Sequence, residues 1–100
     1  MSLELTYTPN ESLTSDDHPK TFVLMVDGDM YERRKKDRSI ALAEVVSSFD
    51  ILRYDRPGKS GLLVRPSKRE IEDTFGTKNE EELVEFMLER GVPHGKRRAL

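Results

Sequence analysis

Residues 67–91, SKREIEDTFGTKNEEELVEFMLERG, constrain the fold more than any other part of the sequence. They predict two short amphipathic helices in succession. Ser67 and Glu70 have the spacing of a capping box, in which each side chain accepts a hydrogen bond from the other residue's backbone N–H. Gly76 follows at the position where a left-handed C-cap ends a helix. These signals predict helices and do not indicate a catalytic or binding site.

The second predicted helix has start and stop signals of the same kind. Thr77 and Glu80 repeat the capping-box spacing, and Gly91 with Pro93 ends the helix. The apolar stripe consists of Leu83, Val84, Met87 and Leu88, with Phe86 beside it. The exposed side is acidic and contains Glu80, Glu81, Glu82, Glu85 and Glu89. We expect that side to repel phosphate.

Two strands are predicted near the start of the sequence. Residues Leu3–Thr8 alternate between apolar and polar side chains, which is typical of a half-buried strand. Phe22–Val26 is a continuous apolar run with β-branched members, which favours a central strand. Pro9–Lys20 between them has the composition of a surface loop. The simplest arrangement is an antiparallel pair.

Two further helices are predicted in the middle of the chain. Asp29–Lys36 is polar, with its acidic end first and its basic end last, as the helix dipole prefers. Ser39 is predicted to cap a helix over Ile40–Ser47, where apolar residues recur at helical spacing.

Two more strands complete the predicted elements. Phe49–Tyr54 has strand character, Pro57-Gly58 indicates a turn, and Leu62–Val64 is a minimal strand. The fold class is therefore α+β: an antiparallel sheet of three to four strands with about four helices packed on it. We expect one domain over residues 1–100, with a core at about 3–91 and a mobile basic tail at 92–100.

Composition limits the functional classes. The chain has 17 basic and 19 acidic residues, a net charge of −2 and no cysteine. Cysteine-based catalysis, disulfides and zinc–thiolate sites are excluded. The sequence starts without a signal peptide, and its longest apolar run is far too short for a bilayer span. We expect a soluble cytoplasmic protein, with the nucleus as a second location.

Motifs for catalysis or metal binding are incomplete. Gly58-Lys59-Ser60 resembles the end of a P-loop, but Arg53 occupies the position of the required first glycine. Asp27-Gly28-Asp29 lacks the later glutamate of a calcium loop, and a turn before a helix explains it better. His18 and His94 have no partner at metal-site spacing. We expect no cofactor, no metal and no catalytic residue.

Basic residues form three clusters. They are Arg33, Arg34, Lys35 and Lys36 with Arg38; Lys59, Arg65, Lys68 and Arg69; and Lys96, Arg97 and Arg98. Such clusters can neutralise the phosphates of nucleic acid and release counterions. Composition alone favours the simpler explanation of solvated surface charge, because the net charge is not basic.

Several blocks of sequence share an order and spacing with a known domain. They are SIALAEVV at 39–46, FDI at 49–51, SKREIEDTFGTKN at 67–79 and LERG at 88–91. Together they resemble the N-terminal domain of the Shwachman–Bodian–Diamond syndrome protein family, over roughly residues 20–93. The Phe-Gly-Thr junction between two helices is the most specific part. The domain also occurs alone in small fungal proteins of the restriction of telomere capping type.

The resemblance implies helices packed on an antiparallel sheet, and no enzyme activity. Full-length members act in late maturation of the large ribosomal subunit, contact ribosomal RNA, and with a GTPase help to release a factor that blocks subunit joining. They carry two further domains. Because this sequence ends nine residues after Gly91, we expect the stand-alone type, which is linked to RNA metabolism, stress and telomere capping.

The leading hypothesis is a non-catalytic module that binds ribosomal RNA or the large ribosomal subunit, without a small-molecule substrate or membrane. The preferred contact patch is Lys59, Arg65, Lys68 and Arg69, because family members are also basic at the position of Lys68. Further candidates are Arg33, Arg34, Lys35 and Lys36. The alternative is a protein–protein interaction module without RNA contact, which would use an apolar surface or the glutamates of the last helix.

Overall fold

The described part of the chain forms a five-stranded antiparallel sheet with four helices, which confirms the α+β class and adds one strand to the predicted number. The computed structural model describes residues 2–9, 20–57 and 60–94. The strands are β1 (Ser2–Tyr7), β2 (Lys20–Asp27), β3 (Leu52–Pro57), β4 (Ser60–Val64) and β5 (Val92–His94). The helices are α1 (Gly28–Lys36), α2 (Leu42–Val45), α3 (Lys68–Phe75) and α4 (Glu80–Arg90). The strand order is β4-β3-β2-β1-β5.

The predicted antiparallel pair of β1 and β2 is confirmed and forms the centre of the core. Leu3 pairs with Val26 and Leu5 with Leu24, and all four side chains are buried. Side chains alternate between the two faces of a strand, so these residues share one face. The helices pack on that face and complete a single hydrophobic cluster.

Helix α2 is shorter than predicted. Asp37 accepts hydrogen bonds from both the backbone N–H and the hydroxyl of Ser39, so Ser39 does not cap the helix. The helix begins after Ala41 and ends before Val46. Val46 instead forms a β-bridge with Val26 of the central strand. Sheet pairing therefore replaces the last helical turn that the sequence suggested.

The caps of α3 and α4 differ in part from the predicted capping boxes. Ser67 accepts from the Glu70 N–H at 3.1 Å as expected, but the Glu70 carboxylate lies 2.7 Å from Arg53 Nε. Asn79, not Thr77, caps α4 by accepting from the Glu82 N–H at 3.0 Å. The Thr77 hydroxyl accepts from the Asn79 N–H instead.

Helix α3 ends as predicted and is fixed on the sheet by aromatic packing. Gly76 has a φ of 81°, which confirms the left-handed C-cap. The Phe75 ring contacts Phe22 of β2 and Phe86 of α4, with centroids 5.1 and 5.2 Å apart. Tyr7 of β1 contacts both Phe75 and Phe86. This cluster sets the position of both helices.

The β3–β4 hairpin contains an irregularity at Gly61. Strand β3 begins at Leu52, three residues later than predicted, and Pro57 of the predicted turn belongs to the strand, while Gly58 lies outside the described residues. Gly61 has a φ of 88°, and a Cβ there would lie 1.9 Å from Asp55 Oδ1. The same carboxylate accepts a hydrogen bond from the Leu62 N–H. Gly61 is thus required by backbone conformation and by the close approach of Asp55.

Strand β5 corrects the predicted tail. Val92–His94 pairs with β1, and the Thr6 hydroxyl donates to the Val92 carbonyl at 3.2 Å. The turn into β5 requires close packing, because a Cβ on Gly91 would lie 2.5 Å from the Met87 carbonyl oxygen. Gly91 ends α4 in extended backbone. Residues 95–100 of the predicted tail lie outside the described residues.

Candidate functional site

A cleft of about 310 Å³ lies where the first turns of α3 and α4 meet the segment that precedes β3. We call it the basic cleft. It is lined by Phe49, Asp50, Ile51, Arg65, Pro66, Lys68, Ile71, Lys78, Glu80 and Leu83. Three of these side chains are cationic and two are anionic. The volume falls at the lower end of the range for sites that bind small molecules or their parts.

The apolar wall of the basic cleft is anchored in the core. Ile51 and Leu83 are 5% and 3% exposed, and Pro66 is also buried. Phe49 and Ile71 are half-buried and pack against the same core. The wall therefore has a fixed shape, and part of it remains open to a ligand.

An ion pair lies at the rim of the basic cleft. Arg65 Nη1 and Asp50 Oδ1 are 2.9 Å apart, and the Ser48 hydroxyl donates to Asp50 Oδ2 at 2.8 Å. The hydrogen bond from Arg65, supported by that of Ser48, lowers the pKa of Asp50. The Arg65 side chain is still 69% exposed. It can therefore exchange its carboxylate partner for a phosphate.

Two lysines complete the cationic rim. Lys68 is the first residue of α3 and directly follows its cap. Lys78 directly precedes Asn79, the cap of α4. Both are exposed, and the two helix starts bring them to one cleft although ten positions separate them in the sequence. Sequence reasoning missed Lys78, although it lies within the Phe-Gly-Thr block that carried the family resemblance.

The structure brings together only part of the predicted contact patch. Arg65 and Lys68 line the basic cleft. Arg69 is exposed on α3 but does not line it. Lys59 lies outside the described residues.

The second predicted cluster, on α1, divides into residues with different surroundings. Arg34 is engaged by Glu85 of α4 at 2.9 Å and its side chain is only 11% exposed. Lys35 lies 3.8 Å from Glu32 and 5.4 Å from the centroid of the Tyr31 ring. Arg33 and Lys36 are exposed.

A second cleft, of about 600 Å³, lies between α1 and α4. Arg34 pairs with Glu85 on one side, and Arg38 pairs with Glu89 at 2.8 Å on the other. Two glutamates of the predicted acidic side are therefore neutralised by arginines. Glu80 lines the basic cleft instead. That this helix side repels phosphate stays a prediction.

Within residues 2–9, 20–57 and 60–94, no group of three or more acidic or histidine side chains is placed to hold a metal ion. His18 lies outside these ranges, and His94 belongs to β5. No helix in the described part of the chain has the length and apolar character needed to cross a bilayer.

Comparison with known proteins agrees with the resemblance. The family model of the Shwachman-Bodian-Diamond syndrome (SBDS) N-terminal domain matches residues 12–99. An SDO1-like protein of Schizosaccharomyces pombe is 35% identical over 78 residues, which cover 74% of this chain and 74% of that protein.

Proposed function

Because this chain belongs to the SBDS N-terminal domain family, we propose that it is a non-catalytic module that associates with RNA of the large ribosomal subunit. It would act in the cytoplasm or the nucleus, where such subunits occur. The proposal starts from the link of the family to ribosome biogenesis. The contacts would come from Arg65, Lys68 and Lys78 at the basic cleft, with Arg69 beside it.

The observation that carries this proposal is the convergence of three cations on a concave surface. Lys68 and Lys78 are exposed, and none of the salt bridges found among the described residues involves them. Side chains of this kind can neutralise phosphates at no cost in broken ion pairs. The α1 cluster supports the proposal less well, because Arg34 already has a partially buried partner.

A non-catalytic role fits the chemistry of the basic cleft. Asp50 is held by Arg65 and Ser48, and Glu80 is exposed on the first turn of α4. The hydrogen bond from Arg65 lowers the pKa of Asp50, whereas general acid–base catalysis calls for groups whose pKa values are tuned toward neutrality. The cleft is better suited to binding a charged ligand than to transforming it.

Sedimentation of the protein with purified 60S subunits across a salt series tests the proposal. Binding should weaken steeply as salt rises. The double variant Lys68→Glu/Lys78→Glu should bind much more weakly, and its salt slope should be smaller by about one to two. The matched control is Arg33→Glu/Lys36→Glu, which makes the same change of charge on α1.

Two results would contradict the proposal. One is binding that does not respond to salt or to the charge of Lys68 and Lys78. The other is an equal loss in the α1 control, which would show that only the overall charge of the protein matters.

A protein-binding role is the second candidate, and β4 favours it. This edge strand exposes 73% of Leu62 and 38% of Leu63. Residues 60–64 contain no charge and no proline, so the edge can accept a strand from another chain. Leu62→Lys would then strongly weaken binding to the 60S subunit, with little change in the salt dependence of the binding that remains.

A further inference from the structure

The basic cleft has a feature that phosphate binding alone does not require. Phe49 lies in its wall, half-buried, beside a rim of cations. A lysine cluster on a flat helix face would neutralise phosphates equally well. An aromatic ring within a cationic cleft offers a second type of contact, to a flat apolar group.

RNA presents that flat group only when a base is unstacked. In an A-form duplex the bases are stacked on each other, and the protein reaches mainly phosphates, 2′-hydroxyls and the shallow groove. In single-stranded RNA a base can stack on an aromatic side chain while nearby cations contact its backbone. Phe49 and the two lysines match this combination.

The size of the cleft limits what can enter. A volume of about 310 Å³ lies at the lower limit of ligand sites, so it suits one base with its sugar better than a run of stacked bases. The buried positions of Ile51 and Leu83 keep the wall from collapsing or widening. We therefore expect the site to bind a single nucleotide of a flexible RNA single strand.

Resting on the proposed function, we propose that the basic cleft binds one unstacked base of single-stranded RNA against Phe49, while Lys68 and Lys78 contact the adjoining phosphates. Arg65 contributes when a phosphate replaces Asp50 as its partner. Glu80 is the anionic side chain of the cleft that none of the salt bridges found among the described residues involves, so Glu80→Gln should strengthen binding. The module thus selects single-stranded over double-stranded RNA.

Fluorescence anisotropy with a labelled RNA of about 12 nucleotides, alone and as a blunt duplex, tests this selectivity. The single strand should bind at least about tenfold more tightly. Phe49→Leu keeps an apolar side chain but removes the ring, and should weaken single-strand binding about five- to tenfold. It should leave duplex binding unchanged.

The matched control for packing is Phe86→Leu. Phe86 is another half-buried aromatic that packs on the core, but it contacts Tyr7 and Phe75 away from the basic cleft. Phe86→Leu should lose the more thermal stability, because the Phe86 ring contacts two other rings and the Arg90 guanidinium, so it is the stricter control. Binding is measured below both unfolding transitions. If Phe49→Leu lowers the affinity for RNA and Phe86→Leu does not, the loss is due to a contact between Phe49 and RNA.

The outcomes separate this inference from the proposed function. If single strand and duplex bind equally, and Phe49→Leu has no effect while Lys68→Glu weakens both, the base site is wrong and the RNA-binding role stands. If neither RNA binds and association with 60S subunits does not change with salt, both the base site and the RNA-binding role are wrong. In that case the partner is a protein, and Leu62→Lys identifies the surface.

Discussion

Arg34 Nη2 of α1 lies 2.9 Å from Glu85 Oε2 of α4, and the two residues are 51 positions apart in the sequence. The same guanidinium donates to the Ile40 carbonyl at 3.1 Å. Arg34 thus connects α1, the segment before α2 and α4. From the sequence, Arg34 belongs to a cluster of surface charges, but its contacts hold these segments of the fold together.

Arg34→Ala should lower the free energy of unfolding by about 1–2 kcal/mol, because a partially buried charge pair and a hydrogen bond are both lost. Arg38→Ala is the control. Its pair with Glu89 is 66% and 55% exposed, so the loss should be at most about 0.5 kcal/mol. Urea denaturation measures both. Equal losses would show that the Arg34 contacts contribute no more than an exposed pair.

Asn79→Ala should destabilise the protein by about 1 kcal/mol, because Asn79 supplies the N-cap of α4. Thr77→Ala should cost less, since its hydroxyl only supports the loop before the cap. Thermal unfolding distinguishes the two variants. A larger effect at Thr77 would favour the capping box that the sequence suggested.

Gly61→Ala should destabilise the protein by about 1–3 kcal/mol, through its positive φ and the collision with Asp55. A double-mutant cycle with Asp55→Ala separates the cost of the positive φ from the cost of the collision. Removing the carboxylate should relieve the collision and leave the cost of the backbone conformation, so the two changes should not be additive. Gly76→Ala is the reference for positive φ without a collision, since a Cβ there would have nothing within 4 Å. Strict additivity would contradict the proposed role of Asp55.

The carboxyl group of Asp50 should titrate below its ordinary pKa, as NMR of the side-chain carbon can measure. Arg65 is the main cause and Ser48 the second, so Arg65→Ala should raise the pKa more than Ser48→Ala. Because the pKa is lower in the folded state, this group stabilises the fold above the unfolded-state pKa of about 4. That contribution disappears as the pH falls through the folded-state pKa. An unchanged pKa in Arg65→Ala would refute the ion pair.

Local patterns predicted the elements whose stability is largely local. The apolar run of β2, the alternation of β1 and the cap at Ser67 all appear in the structure. Strand β5 was missed because Val-Pro-His has no strand pattern of its own, and forms a strand only because β1 offers an edge. Helix α2 was overestimated because its last turn competes with a bridge to Val26.

The candidate site was predictable only for cations that lie within a few positions of each other in the sequence. Lys68 and Arg65 are close in the chain and meet at the basic cleft. Lys78 joins them after the turn at Gly76; the sequence predicts that turn but not that it brings Lys78 to the cleft. The pairing of Arg34 with Glu85 depends on the packing of α1 against α4, and no local signal predicts it.

The pairing of β5 with β1 sets an order for biosynthesis. Thr6 and Val92 are 86 positions apart, and contacts between such distant segments form late because the intervening chain must first be ordered. On the ribosome, β1 and β2 can pair early, but the outer edge of β1 waits until Val92–His94 has left the exit tunnel. Until then the nascent chain presents an open strand edge, which is a site for mispairing. The three-residue strand therefore ends the exposure of this edge of β1, over residues 4–6.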